Sequence, residues 1–162
     1  MLHDRLLSWW GRLHIGEVIR RRAVRRTIRS FIRPGVRVLD AGCGRGDNAL
    51  WVARRFPTVE VTAVDIDSAL VALVQQRINA LQLPNIHVQQ KDIEHSAFDV
   101  LHSAFRYSIV YSVDVFEHLR DPARALTAIG GALTERGTLV LHIPQLHQRR
   151  WFRRFERYHQ DD

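Results

Sequence analysis

The run V-R-V-L-D-A-G-C-G-R-G at residues 36–46 constrains the fold more than any other stretch of the chain. Val36, Val38 and Leu39 predict a short buried strand that ends at Asp40. Gly42, Gly44 and Gly46 then leave no Cβ to block a sharp turn or the close approach of a ligand. A helical pattern follows from Asp47. Strand, glycine-rich turn and helix in this order predict a nucleotide-type cradle at the carboxyl end of a parallel strand.

Beyond this run the hydrophobic periods alternate. Strands are predicted over 36–40, 59–64, 86–90, 108–112 and 137–143, and helices over 47–55, 68–82 and 121–133. Residues 95–105 add a turn or two at most. Such alternation predicts an α/β fold, a Rossmann-like doubly wound and mostly parallel sheet with right-handed crossovers. Ahead of it, residues 17–32 read as an amphipathic helix. Val18, Ile19, Ala23, Val24, Thr27, Ile28, Phe31 and Ile32 recur at helical spacing, with arginines on the other face. A shorter helix is expected over 3–13. Pro34 marks the one boundary, giving a basic helical segment (1–33), a core (34–144) and a polar, aromatic-bearing tail (145–162).

Charge follows this division. Residues 1–33 hold nine arginines against Asp4 and Glu17, whereas the other residues hold fifteen basic and fifteen acidic groups. The whole excess of +7 therefore sits in the N-terminal segment. The first reading of that segment is a helix that packs its apolar face on the sheet and lids the site, with its arginines solvated. An anionic membrane surface met through residues 17–32 ranks second, and nucleic acid below it. No apolar run approaches the roughly 20 residues that span a bilayer. The single cysteine, Cys43, excludes an internal disulfide and fits a reducing, cytoplasmic setting, with peripheral membrane contact as an addition.

Three acids end three successive strands: Asp40, Asp65 in V-D-I-D, and Asp92 in K-D-I-E. Asp65 stands where an acid can accept bonds from ribose hydroxyls. Asp92 can accept a bond from an adenine amino group. Gly44-x-Gly46-x-x-Ala49 also fits a dinucleotide pattern, but Asp47 beside the glycines opposes a pyrophosphate there. A nicotinamide-dependent oxidoreductase therefore ranks low. Asp67 is expected to cap the helix from 68, and Cys43 to fill space. Gly46 has close helix–strand packing as its alternative role.

These motifs, with S-V-D-V-F-E-H-L at 112–119 and G-T-L-V-L-H-I-P at 137–144, resemble the class I S-adenosylmethionine-dependent methyltransferases, in the group with an L-E-H-L sequence after the fourth strand. The resemblance implies strand order 3-2-1-4-5, S-adenosylmethionine as cofactor and a small-molecule or lipid-like acceptor. RNA methylation and a non-catalytic cofactor-binding module are the alternatives. By position, Asp40, Gly42 and Gly44 would hold the methionine moiety, with Gly46 in the same loop. Asp65 would bind the ribose and Ile66 the adenine face. Asp92 and Ile93 would address the adenine edge, and Ser112 and Val113 the wall nearest the sulfonium. The catalytic residue is unassigned, with His118 as a candidate base. In some relatives an E-x-x-E-H run binds a divalent metal, and Asp114, Glu117 and His118 have that spacing. Others carry E-H without metal, and no metal is expected here. The family's aspartate at the head of the fourth strand is Ser108 in this chain. The resemblance further implies two later strands that no pattern after Pro144 supplies, so a truncated chain with a substrate-loop tail is expected.

Overall fold

The computed structural model of the chain describes residues 15–94 and 106–144. The expected helix over 3–13, the tandem Trp9-Trp10, the stretch 95–105 and the tail 145–162 lie outside the described residues. Five strands form one parallel sheet: β1 (Arg37–Ala41), β2 (Glu60–Asp65), β3 (Ile86–Gln90), β4 (Tyr107–Val113) and β5 (Leu133–His142). Their order is β3-β2-β1-β4-β5, as the family resemblance implied. Chain direction reverses its lateral course beside β1, so a crevice opens at the carboxyl ends of β1 and β4.

Burial follows the order. β1 and β4 lie in the middle and are buried on both faces, whereas β3 buries little beyond Ile86. Val38, Val61, Ala63, Ile109 and Tyr111 face one way and join Val24, Ile28 and Ile32 of helix α1 (Ile15–Phe31) and its following turn. Helices α2 (Asp47–Arg55) and α3 (Ser68–Leu81) complete this layer through Leu50, Val52, Val74 and Ile78. Leu39, Ala41, Val64 and Val110 face the other way, against Ala125, Ile129 and Ala132 around α4 (Pro122–Ala132). Helices thus cover both faces, the arrangement that buries a parallel sheet. Among the described residues no helix is long and apolar enough to cross a membrane.

Local chemistry sets the helix starts. Asp67 caps α3 as expected, accepting from Ala69 and Leu70 N–H. Asp121 caps α4 by accepting from Arg124 N–H, with Pro122 in the first turn. At the start of α2 stands Gly46, with φ at +76°.

Two elements differ from the sequence expectation. β5 begins at Leu133 rather than 137, because Leu133 pairs with Tyr107 and Thr138 with Ile109. The residues between bulge out of register, which is why T-E-R-G resembles a turn in sequence. In α1 the buried stripe is narrow: Val24 and Ile28 inside the helix, then Ile32 just past it. Ile19 and Phe31 are 62% and 42% exposed, and Ala23 and Thr27 are exposed as well. The helix meets the sheet along one i, i+4 line only, so half of its apolar set stays outside. The same core cluster contains residues on both sides of Pro34.

Gly46 is fixed by two constraints at once. Its φ is left-handed, and a Cβ there would lie 2.8 Å from Val74 Cγ2. Gly46→Ala is expected to lower stability by about 1–3 kcal/mol, read as a shifted urea midpoint.

Candidate functional site

The carboxyl ends of β1, β2, β3 and β4 meet around one opening. The loop after β1 bends back over β2, where Val64 C=O accepts from Gly42 N–H at 2.9 Å and Cys43 N–H at 2.8 Å. Asp65 then grips the loop from the side: Oδ2 accepts from Gly44 N–H at 2.7 Å, and Oδ1 from Asp67 N–H at 3.0 Å. Gly42 has φ +83°, and a Cβ on it would collide with the Val115 side chain. The loop after β4 can therefore pack onto the glycine turn. At Gly44 a Cβ would meet nothing, because that position faces open space.

The opening is a cavity of about 400 Å³. Gly42, Gly44, Asp65, Ile66, Asp92, Ile93 and Val113 all line it. Ile66 is 63% exposed while Ile93 is buried, so one forms an accessible lip and the other a floor. Asp92 Oδ1 accepts from Glu94 N–H at 2.8 Å, and Glu94 Oε1 accepts from Asp121 N–H at 2.5 Å. Those bonds tie the end of β3 to the start of α4 across the cavity. Acids outnumber the single lysine, Lys91, on this lining, so the potential favours a cation.

A smaller cavity of about 200 Å³ adjoins it and shares Gly42, Cys43, Val113 and Asp114. Asp40 opens here, opposite Arg20 and Arg21 of α1 and Arg45 of the glycine loop. Asp40 is buried, and burial, with the nearby Asp65 charge adding to it, pushes its carboxyl up to about 7. Tyr111 and the Ala49 N–H relieve part of that cost. Tyr111 is the register partner of Asp40 in the sheet, and its hydroxyl is buried without a partner in full hydrogen-bond geometry. Cys43 is held in the thiol form, because burial and the charges of Asp40 and Asp65 push its pKa far up. It packs against the core, consistent with the space-filling role.

Gly46 and Ser112 line neither cavity. Gly46 packs on Val74 of α3, a helix rather than a strand. Ser112 is buried and donates from Oγ to Ala41 C=O at 2.7 Å, joining the ends of β4 and β1. Side chains alternate along β4, so only one of the adjacent Ser112 and Val113 can face the opening. Asp47 also differs from its sequence reading. Its carboxylate pairs with Arg77 at 2.8 Å and lines the smaller cavity, not the larger one.

Asp114 holds the least expected arrangement. It is a non-glycine residue with φ +58°, and its N–H donates to His142 C=O at 3.0 Å. Its Oδ1 lies 2.7 Å from His142 Nδ1 and its Oδ2 3.2 Å from Arg20 Nε. One carboxylate thus joins α1, β4 and β5 at the wall between the two cavities. Only Phe116–His118 forms a helical turn, so Asp114, Glu117 and His118 do not share the helix face that metal spacing required. Among the described residues no group of three or more ligating side chains is placed for a metal. His118 stands at the mouth of the larger cavity, largely exposed, with Nε2 4.0 Å from Glu117 Oε1. The sequence marks His142 only as part of a strand. Its pairing with Asp114 follows from the Val113↔His142 register.

Asp40 makes stability depend on pH. Its folded pKa of about 7 lies above the ordinary 3.8, so the folded state holds its proton longer. This contribution is full below 3.8, declines as pH rises and is gone above about 7. Urea titrations across that window are expected to show a falling midpoint that Asp40→Asn flattens.

Comparison with known proteins agrees with this geometry. Residues 14–161 match a family described as a methyltransferase domain. The trans-aconitate 2-methyltransferase of Deinococcus radiodurans is 32% identical over 117 residues, 71% of this chain and 40% of that protein. The malonyl-[acyl-carrier protein] O-methyltransferase of a Paenibacillus species is 29% identical, over 64% of this chain and 37% of its own. A coclaurine N-methyltransferase, solved with N-methylheliamine and S-adenosylhomocysteine, superposes with TM-score 0.63 at 29% identity, covering 70% of this chain and 32% of that one. The chain spans less than half the length of each of these relatives.

Proposed function

The chain belongs to the class I S-adenosylmethionine-dependent methyltransferase family, and on that premise we propose that its larger cavity binds S-adenosylmethionine for methyl transfer to a small-molecule acceptor. One observation carries this reading. The side-chain-free turn at Gly44 opens onto the same space of about 400 Å³ that Asp65 and Asp92 border. A cofactor made of a nucleoside and a cationic sulfur fits such a lining, with flat contact at Ile66 and acids along the rim. The relatives named for trans-aconitate and coclaurine support a small acceptor.

When bound, the cofactor supplies a methyl group on a positively charged sulfur. The residues of the chain then have four tasks. Asp65 would accept ribose hydroxyls while keeping its bonds to Gly44 and Asp67 N–H, since an ionised carboxylate has about four acceptor positions. Asp92 and Ile93 would meet the adenine edge. In the smaller cavity, Asp40 faces arginines, a polarity suited to the ammonium and carboxylate of an amino acid. Val113 would wall the reacting centre, and His118 at the mouth would take the proton that an N–H or O–H acceptor releases. Displacement in line needs positioning above all, and rigid strand ends provide it. Gly46 and Ser112 would act indirectly, by holding the loop and the strand ends.

Residues 34–144 form the cofactor-binding core on this reading, in a cytoplasmic setting. A second feature of α1 favours membrane contact. Ile19 is exposed on the same face as Arg22 and Arg26, a surface that suits anionic lipid and a lipid-like acceptor. Sedimentation with anionic but not neutral vesicles, lost in Ile19→Asp, is the expected result.

Calorimetry tests the main reading. S-adenosylhomocysteine is expected to bind and NAD to give no heat. Asp65→Ala should weaken the first by roughly 10- to 100-fold, the loss of one or two charge-assisted bonds. A melting temperature measured alongside separates lost contacts from lost folding. Binding of NAD in its place overturns the assignment.

A further inference from the structure

A third concavity lies among α1, α2 and α3, with a volume of about 420 Å³. It shares no lining residue with the larger cavity, and it borders the smaller one through Arg21 and Asp47. Five arginines line it: Arg21 and Arg25 from α1, Arg54 and Arg55 from the last turn of α2, and Arg77 from α3. One acid faces them, Asp47, and its Oδ1 is already 2.8 Å from Arg77 Nη1. No carboxylate pairs with Arg21, Arg54 or Arg55 among the described residues.

Two of the five guanidinium groups, those of Arg25 and Arg77, are held in place by hydrogen bonds. Arg25 donates from Nη2 to Asp47 C=O at 2.7 Å and from Nε to Asn48 Oδ1 at 3.3 Å. It also lies over the Trp51 ring, 5.2 Å from its centroid. Arg77 reaches the Arg45 C=O as well as Asp47. Three further arginines thus line the same groove as two fixed ones. Burial lowers the pKa of Arg25, and the Arg21 charge lowers it further. An anion in the groove would relieve that repulsion. Trp51 and Leu50 add an apolar floor beneath the cationic walls.

The arrangement favours one class of ligand. Guanidinium pairs match phosphate oxygens through parallel N–H donors, and a cluster of them suits several such groups at once. The volume falls in the range of small-ligand sites, about 300–1,000 Å³. The concavity is bordered by three helices and open to solvent on its outer side, and a small molecule matches its volume. We propose that this groove binds a small molecule carrying clustered phosphate groups, outside the larger cavity and next to the smaller one.

Tripolyphosphate is a direct probe, titrated into the full chain by calorimetry. Saturable binding at one site is expected. Arg54→Ala/Arg55→Ala should weaken it by about tenfold. Arg22→Ala/Arg26→Ala removes the same charge from exposed positions outside the groove and should weaken it by less than about twofold. Melting temperatures of the variants confirm that each is folded. Equal losses in the two pairs would show attraction to net charge alone and overturn the site. So would the absence of saturable binding, or an Arg54→Ala/Arg55→Ala defect confined to RNA or to anionic vesicles.

Discussion

The site rests on the fastening of the glycine turn to the end of β2. Two consecutive N–H groups, of Gly42 and Cys43, converge on Val64 C=O, and the next residue donates to Asp65. This satisfies backbone donors that a tight turn would otherwise leave unpaired near a buried strand end. It also fixes the distance between the turn and the acid at the end of β2. Remove either, and the cradle and its principal carboxylate no longer share one geometry. The packing of Val115 on Gly42 then places the β4 loop against the same turn.

Electrostatics divide the rim into two environments. Around the larger cavity the acids are partly open and braced by backbone N–H groups, which keeps carboxylates available to a cation. Asp40 lies deeper, between Tyr111 and the start of α2, where burial favours its neutral form. Its charge is worth having only when a positive group arrives. The Asp114 carboxylate is committed differently, since Arg20 and His142 draw α1 and β5 onto one point. That junction gives the N-terminal helix a place in the wall of the site.

Much of this was legible in the sequence, for reasons that differ by residue. Asp67 as a cap and Gly42 and Gly44 as the turn are local choices, visible because few residues can do those jobs. Asp65, Ile66, Asp92 and Ile93 could be placed because each follows directly on a strand whose pattern was clear. Gly46 and Ser112 were read as site residues, yet one packs on Val74 and the other donates to Ala41. Val113, next to Ser112 in β4, lines both cavities, because successive side chains of a strand point to opposite faces. The spacing of Asp114, Glu117 and His118 implied a common face only if a helix ran through them, and the left-handed backbone at Asp114 breaks it. The apolar set of α1 overstated its buried width because a helix touches a sheet along a line.

What the residues alone determined was the alternation of strand and helix, the fold class that follows from it, and the identity of the turn, since these depend on period and on the lack of a Cβ. Only the assembled sheet decided which acids share a cavity, that His142 meets Asp114, and that arginines from three helices line one groove. The physical reason is sequence distance. Arg25 and Asp47, or Asp114 and His142, stand more than twenty positions apart. Their contact is set by strand register and helix crossing, which no local period encodes.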